Sequence, residues 1–234
     1  MKTIILAGGF GTRISEETEN KPKPMVLIDD KPIIWHVMNI YASQGFTDFV
    51  IATGYKSEVI EDWVSKLNSQ WNIVAMDTGL NTMTGGRIRK CIDQFPENQY
   101  FVTYGDGVGN VNLKRLLKFH NQNSLLATVT AVRPPARFGV LDIENGVVNH
   151  FGEKNQTDVG WINGGFFVIN KDVRRYIQGD NDLFETGALP KLTRDRQLSA
   201  FQHNGFWKPM DTLREKNELQ ELALTEYPPW LSIL

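Results

Sequence analysis

Up to about residue 130, short apolar runs alternate with longer stretches whose apolar residues recur at helical spacing. The runs are Thr3 to Ala7, Phe49 to Thr53, Ile73 to Met76, Tyr100 to Tyr104 and Leu126 to Val132. Each reads as a buried strand, and strands separated by helical segments predict a parallel sheet with crossover helices. Ile33 to Gln44 is one predicted helix, with Pro32 near its start and Gly45 at its end, where a glycine suits a left-handed cap. Lys56 to Leu67 predicts the next. Beyond residue 130 the pattern changes to strands broken by turns, at "PPARFG", "IENG" and "INGG". That change predicts an α+β half folded onto the end of the first sheet. The expected organisation is one α/β domain over residues 1–234, with halves 1–130 and 131–234 and no internal repeat. The C-terminal "YPPWLSIL" is apolar and proline-broken, so it packs on the body or on another subunit of a homo-oligomer.

Composition narrows the partners. The 234 residues include 25 Lys plus Arg and 27 Asp plus Glu, a net charge of −2, so nothing points to general affinity for nucleic acid or an anionic membrane. An anionic ligand must therefore be held by local charges. The single cysteine, Cys91, has no partner for an internal disulfide; it fits a reducing cytoplasm and reads as buried filler. At the N-terminus only "TIILA" precedes the glycines, too short for a signal segment or a membrane span. A soluble, cytoplasmic protein is expected.

The opening "ILAGGFGTR", Ile5 to Arg13, runs from a predicted strand into glycines and an arginine. A P-loop does not fit, because the spacing is wrong and no lysine follows the last glycine. A dinucleotide fingerprint read from Gly9 finds Gly11 in place but Ile14 where its third glycine should be. The shared physics remains: glycines allow close backbone approach, amide groups near a helix start attract anions, and Arg13 adds a forked cation. Lys23 follows in "KPKPM", held extended by its flanking prolines. Asp106 in "TYGDG" stands at a strand end, either as a ligand for a hard divalent cation or as an ordinary Asp-Gly turn.

Taken together, "LAGGFGTR" with Lys23, "GDG", Glu153 and Lys154 in "EK", and "NGG" at Asn163 to Gly165 resemble the sugar-phosphate nucleotidyltransferases over nearly the whole chain. "KPKPM", "DTGLNTMTGGR", "TYGDGV", "ATVTAV", "WINGGFFV" and "GFWKPMDTLREK" resemble more narrowly the glucose-1-phosphate cytidylyltransferases. One departure is the short "KLNSQWNIVAMDTG", where those enzymes carry an insertion before the "DTG" segment.

The resemblance implies a Rossmann-like fold, a mainly parallel mixed sheet flanked by helices, and an α+β sugar-binding part. It implies that Leu6, Ala7, Gly8, Gly9, Gly11, Thr12 and Arg13 wrap a triphosphate together with Lys23, Tyr104 and Gly105. Thr84 and the pair Gly85 and Gly86 would let the backbone reach the edge of the base. Arg13 and Lys23 would neutralise charge on the departing pyrophosphate, and Asp106 and Asp211 would hold Mg²⁺ and meet only through the metal and the phosphates. Lys154 would bind the acceptor's phosphate as a third catalytic cation, with Glu153, Asn163 and Gly164 along the sugar. The implied reaction joins CTP and a sugar 1-phosphate, glucose 1-phosphate first, into a CDP-sugar and pyrophosphate. The missing insertion implies a more open acceptor pocket, suited to a different phosphorylated sugar or a non-sugar phosphate.

Plain structural readings stand beside these. Lys154 could be a solvated turn lysine, Asp211 the cap of a helix starting near Thr212, and "NGG" a hairpin turn. His203 reads as a turn residue, and Trp161 and Trp207 read as core. A catalytically silent nucleotide-binding module would be expected to have lost some of Arg13, Lys23, Asp106, Lys154 or Asp211; all five are present. An oxidoreductase is disfavoured by Ile14 and by "TGYKSE", which lacks the expected ribose-binding acid near Thr53.

Overall fold

The computed structural model describes residues 1–134, 139–144, 146–153 and 160–232. In its first part, β1 (Thr3–Leu6) leads through a short helix α1 (Ser15–Thr18) to a small ribbon of β2 (Leu27–Ile28) and β3 (Lys31–Pro32). There follow α2 (Ile33–Ala42), β4 (Asp48–Thr53), α3 (Ser57–Lys66), β5 (Asn72–Asp77), α4 (Thr84–Gln94) and β6 (Gln99–Tyr104). The middle of the chain supplies β7 (Gly107–Gly109), α5 (Leu113–Asn123), β8 (Ala127–Val132), β9 (Gly139–Glu144) and β10 (Val147–Glu153). The last part holds β11 (Ile162–Asn163), β12 (Phe167–Asn170), α6 (Leu189–Arg194), β13 (Leu198–His203), β14 (Trp207–Pro209) and α7 (Leu213–Ala223).

All five apolar runs are strands of one mixed sheet, and helices flank it. The sheet runs β8–β12–β6–β1–β4–β5, with β11 and β13 also paired to β8. β1 is parallel to β4 and β6, and β4 is parallel to β5. α2 ends two residues before the expected Gln44, and Gly45 at φ 92° closes the turn that follows.

The second half is not folded onto the end of the first sheet, as the change of pattern suggested. β12 inserts antiparallel between β6 and β8, and β13 adds parallel to β8. The reason lies in Phe167, Val168 and Ile169, all fully buried: such a run needs cover on both faces and neighbours on both edges, which only the sheet interior supplies.

Successive residues of each central strand feed opposite layers. Ile5, Phe49 and Phe101 pack with Val37 and Tyr41 of α2 and Leu116 of α5. Ile4, Val50 and Val102 pack on the other face with Ile88 and Cys91 of α4 and with Phe184 and Leu192. Cys91 is buried filler, and burial pushes its thiol up to about 12. The C-terminal segment packs on the chain's own body: Trp230 is fully buried 5.6 Å from His36, and Asn110 Nδ2 donates to the Ser232 carbonyl at 2.9 Å. Among the described residues, no helix is long and apolar enough to cross a membrane.

Candidate active site

In open α/β sheets ligands bind beyond the carboxyl ends of the strands. Here a cleft of about 450 Å³ opens at the ends of β1 and β6, lined by Leu6 to Arg13, Lys23, Leu80 to Thr84, Arg87, Tyr104 to Asp106 and Asp211. Thus Leu6, Ala7, Gly8, Gly9, Gly11, Thr12, Arg13, Lys23, Thr84, Tyr104, Gly105, Asp106 and Asp211 share one cleft, although they come from five separate parts of the chain.

The opening loop is shaped by what lies beneath it. Gly11 has φ 67°, and a Cβ there would stand 2.9 Å from Lys23 Cβ, so only glycine suits. A Cβ on Gly8 would overlap the Arg87 guanidinium. Arg87 comes from the first turn of α4 and is 4% exposed. It donates to the carbonyls of Gly8 at 3.0 Å and Thr53 at 2.5 Å, and to the Thr78 hydroxyl. Burial lowers its pKa, while Asp77 and Asp180 favour the charged form; a guanidinium so placed stays protonated. Arg87 therefore adds a buried positive charge below the loop. Sequence reasoning missed it because "TGGR" was read for its glycines; the available signal was an arginine one turn from Cys91 on the apolar face of a helix.

Lys23 is not extended, as its flanking prolines suggested: it opens the one-turn helix Lys23–Met25, in which the Met25 amide donates to the Pro22 carbonyl at 2.8 Å, and it is Pro22 before it that is extended, at ψ 154°. Its Nζ donates to Asp106 Oδ2 at 2.5 Å and to Asp211 Oδ1 at 2.7 Å. Arg13, 74% exposed, reaches Asp211 Oδ2 at 3.0 Å. Burial alone would depress the Lys23 ammonium, but the two carboxylates outweigh it and raise its pKa above the ordinary value. The carboxylates, expected to meet only through a metal and phosphates, are thus bridged by Lys23. Their backbones are tied as well, since the Met210 amide donates to the Asp106 carbonyl at 2.8 Å. Asp211 is not the helix cap. Thr212 caps α7 in a capping box with Glu215, whose carboxylate also accepts from the Asp211 amide at 2.8 Å.

Two carboxylates converging on one cation position fit a hard divalent metal, with phosphate oxygens and water completing the shell. Among the described residues no third acidic, histidine or cysteine ligand joins them.

Gly85 and Gly86 do not line the cleft. A Cβ on Gly85 would stand 2.6 Å from the Asp182 carbonyl, and one on Gly86 would stand 2.7 Å from Asp180 Cα. Their smallness admits the 180–182 segment against α4, and the Gly86 amide donates to the Asp182 carbonyl at 3.2 Å. The reason given for the pair, close approach to a base, is therefore corrected. Thr84 does line the cleft, and its hydroxyl donates to Glu185 at 2.6 Å.

Asn163 and Gly164 are outside the lining of the cleft, and Asn163 Nδ2 donates to the Tyr104 hydroxyl at 3.1 Å. "NGG" is a bulge rather than a hairpin: between the pairs Asn163–Ala131 and Val168–Thr128 the chain advances five residues while β8 recedes three. Gly164 is packed so closely that a Cβ would stand 2.6 Å from Val132 Cγ1, and its carbonyl accepts from Trp207 Nε1 at 2.8 Å. Trp207 is thus a structural latch, and the Arg133 guanidinium lies over the Trp161 ring at 4.5 Å. His203 is no turn residue; it ends β13, buried, with Nε2 3.2 Å from the Phe206 carbonyl. Lys154 and the side chain of Glu153 lie outside the described residues.

A Rossmann-like sheet carrying a glycine-rich loop, paired cations and paired carboxylates at its carboxyl edge has the layout of a nucleotidyl-transferring enzyme. Residues 2–215 match the nucleotidyl transferase family, and the chain belongs to that family. It is 43% identical to the glucose-1-phosphate cytidylyltransferase of Salmonella typhi over 253 aligned positions, 98% of each chain. It is 38% identical to the probable glucose-1-phosphate cytidylyltransferase of Bacillus subtilis (strain 168), over 95% of this chain and 96% of that one. The crystal structure of HddC from Yersinia pseudotuberculosis complexed with GMP-PN matches with a TM-score of 0.74 at 26% identity, over 94% of this chain and 98% of that one. The 253 aligned positions exceed the 234 residues here, so the Salmonella protein carries residues without a counterpart in this chain. Nucleotidyltransferases of this family generally use a divalent metal.

Proposed function

We propose that this chain transfers a cytidylyl group from CTP to a sugar 1-phosphate, glucose 1-phosphate first, releasing pyrophosphate, with Mg²⁺ and in the cytoplasm. The observation that carries this reading is the meeting of Lys23, Asp106 and Asp211 beside the opening loop, in a chain 43% identical to a glucose-1-phosphate cytidylyltransferase. No nucleophilic side chain is needed. A phosphate oxygen of the acceptor attacks the α-phosphorus of CTP, and the bond from that phosphorus to the β-phosphate's bridging oxygen breaks. The opening loop, from Leu6 and Ala7 to Arg13, orients the triphosphate between itself and Tyr104–Gly105. Arg13 and Lys23 stabilise the charge that grows on pyrophosphate as it leaves, and Arg87 adds charge from below. Asp106 and Asp211 would hold Mg²⁺, which supplies charge neutralisation when bound. Thr84, at the start of α4, faces the base; Lys154 holds the acceptor's phosphate, and Glu153, Asn163 and Gly164 lie along its sugar.

Pyrophosphate release with each nucleoside triphosphate and glucose 1-phosphate tests the reading. CTP should lead UTP, and both should far exceed ATP and GTP; comparable kcat/KM with a purine would overturn the cytidylyl assignment.

The short "KLNSQWNIVAMDTG" segment favours a second reading of the acceptor. An open site discriminates weakly, whereas one built around particular hydroxyls rejects analogues by up to about 10⁴-fold. Turnover of glucose 1-phosphate should be accompanied by use of galactose, mannose or heptose 1-phosphates, or a non-sugar phosphate. No turnover of glucose 1-phosphate beside efficient use of another acceptor would make that acceptor the substrate.

A further inference from the structure

Glu185 belongs to none of the sequence motifs that point to the site, yet it joins the two walls that the proposed substrates would touch. It lies half-buried in the wide helical turn Phe184–Ala188. Its Oε2 accepts from the Thr84 hydroxyl at 2.6 Å, and its Oε1 accepts from the Tyr104 hydroxyl at 2.7 Å. An ionised carboxylate can only accept, so both hydroxyls must spend their single proton on it. The Tyr104 oxygen is then left to accept, and Asn163 Nδ2 donates to it at 3.1 Å. Asn163 Oδ1 in turn accepts from the Gly165 amide at 2.9 Å. On the other arm, the Thr84 oxygen accepts from the Phe184 amide at 2.8 Å. The carboxylate thus fixes the direction of both hydroxyl bonds, and the Phe184 and Gly165 amides, which can only donate, fix the two ends of the chain.

We propose that Glu185 is a positioning residue for the acceptor: by taking the Tyr104 proton it leaves that oxygen to hold the Asn163 amide group, and so keeps the carboxamide in the orientation that the Gly165 amide also requires, in the bulge that faces the acceptor's sugar. The proposal rests on the reading above that Asn163 lies along that sugar. Glutamine at 185 keeps the shape but has one acceptor and one donor group, so it cannot receive both hydroxyls. If it donates to Tyr104, the phenolic proton turns toward Asn163, whose carboxamide must flip and lose its bond from Gly165.

The test combines kinetics on the full-length enzyme with a readout that needs no substrate. In Glu185→Gln the acceptor KM should rise about tenfold or more, the loss expected when a charge-assisted arrangement fails, while the KM for CTP changes far less. Tyr104→Phe should raise the acceptor KM as well, and adding Glu185→Gln to it should raise that KM little further, because the relay is already cut. The Asn163 side-chain amide resonances of the substrate-free protein should move in Glu185→Gln, with the unfolding midpoint nearly unchanged. Additive effects of the two substitutions, or equal rises in both KM values, would overturn the proposal. If the wild-type enzyme transfers no nucleotidyl group, the functional reading fails separately, and the amide resonances decide on the relay itself: unmoved signals reject the coupling of Glu185 to Asn163, and moved ones uphold that coupling.

Discussion

The Arg87 guanidinium occupies the space that a side chain on Gly8 would need, while donating at 3.0 Å to the carbonyl of that same residue. One loop residue thus accommodates a buried cation and is anchored by it. Gly8→Ala should force the arginine or the loop aside, a form of overpacking that costs about 1–3 kcal/mol. A lower melting temperature and weaker CTP binding are expected together, read by thermal unfolding with and without nucleotide. Wild-type behaviour in both would mean that Arg87 moves freely and anchors nothing.

The bridge from Lys23 to Asp106 and Asp211 keeps the carboxylates together without a metal. Asp106→Asn or Asp211→Asn leaves the lysine one carboxylate, so folding should persist. Chemistry should not: each change should lower kcat by on the order of a hundredfold or more, the scale of losing one major electrostatic stabiliser. Circular dichroism with steady-state kinetics separates the two effects, and near-normal kcat in either variant would remove that residue from the metal site.

Three buried histidines predict a loss of stability in mild acid. His36 Nε2 lies 2.8 Å from the Ile28 carbonyl, and His120 lies between the Thr128 hydroxyl and Asn170. His203 faces the Phe206 carbonyl. Burial lowers the pKa of all three, so the folded state favours the neutral rings. The unfolded chain therefore binds more protons once pH falls below about 6.5, and each ring then removes up to about 1.4 kcal/mol per pH unit. Their contribution is complete above that value. Asp180 and Glu218, whose pKa values are lowered by Lys90 and by Lys208 with Arg214, lose their contributions only in more acidic solution. Urea midpoints should fall between pH 7 and pH 5, and equal midpoints would show that the rings protonate in place.

Lys154 carries a prediction on chemistry alone. Lys154→Ala should weaken the acceptor by roughly 1.5–3 kcal/mol, the value of one charge-assisted contact to a phosphate, and leave CTP affinity nearly constant. Calorimetry with each substrate measures both, and a collapse of CTP binding with the acceptor unaffected would place the lysine on the other substrate.

The sequence by itself determined the five strands of the first half, two of its helices and the burial of Cys91, because runs, periodicity and caps are local properties that hydrophobic burial reads directly. It also singled out Lys23, Asp106 and Asp211, through motifs that resemble a known family. Only tertiary structure decided which groups meet. Lys23 and Asp211 are 188 residues apart, Thr84 and Glu185 are 101 apart, and Arg87 finds Gly8 across 79. An apolar run such as Phe167 to Ile169 states that it must be buried without saying between which neighbours, so the insertion of β12 between β6 and β8 was not legible. The same holds for the "NGG" bulge, which exists because β8 pairs on both sides of it, and for the glycines of α4, whose need is set by the 180–182 backbone. Hydrogen bonds, ion pairs and steric fits act over a few ångströms in space, and separation along the chain carries no information about that distance until the sheet has brought its strands together.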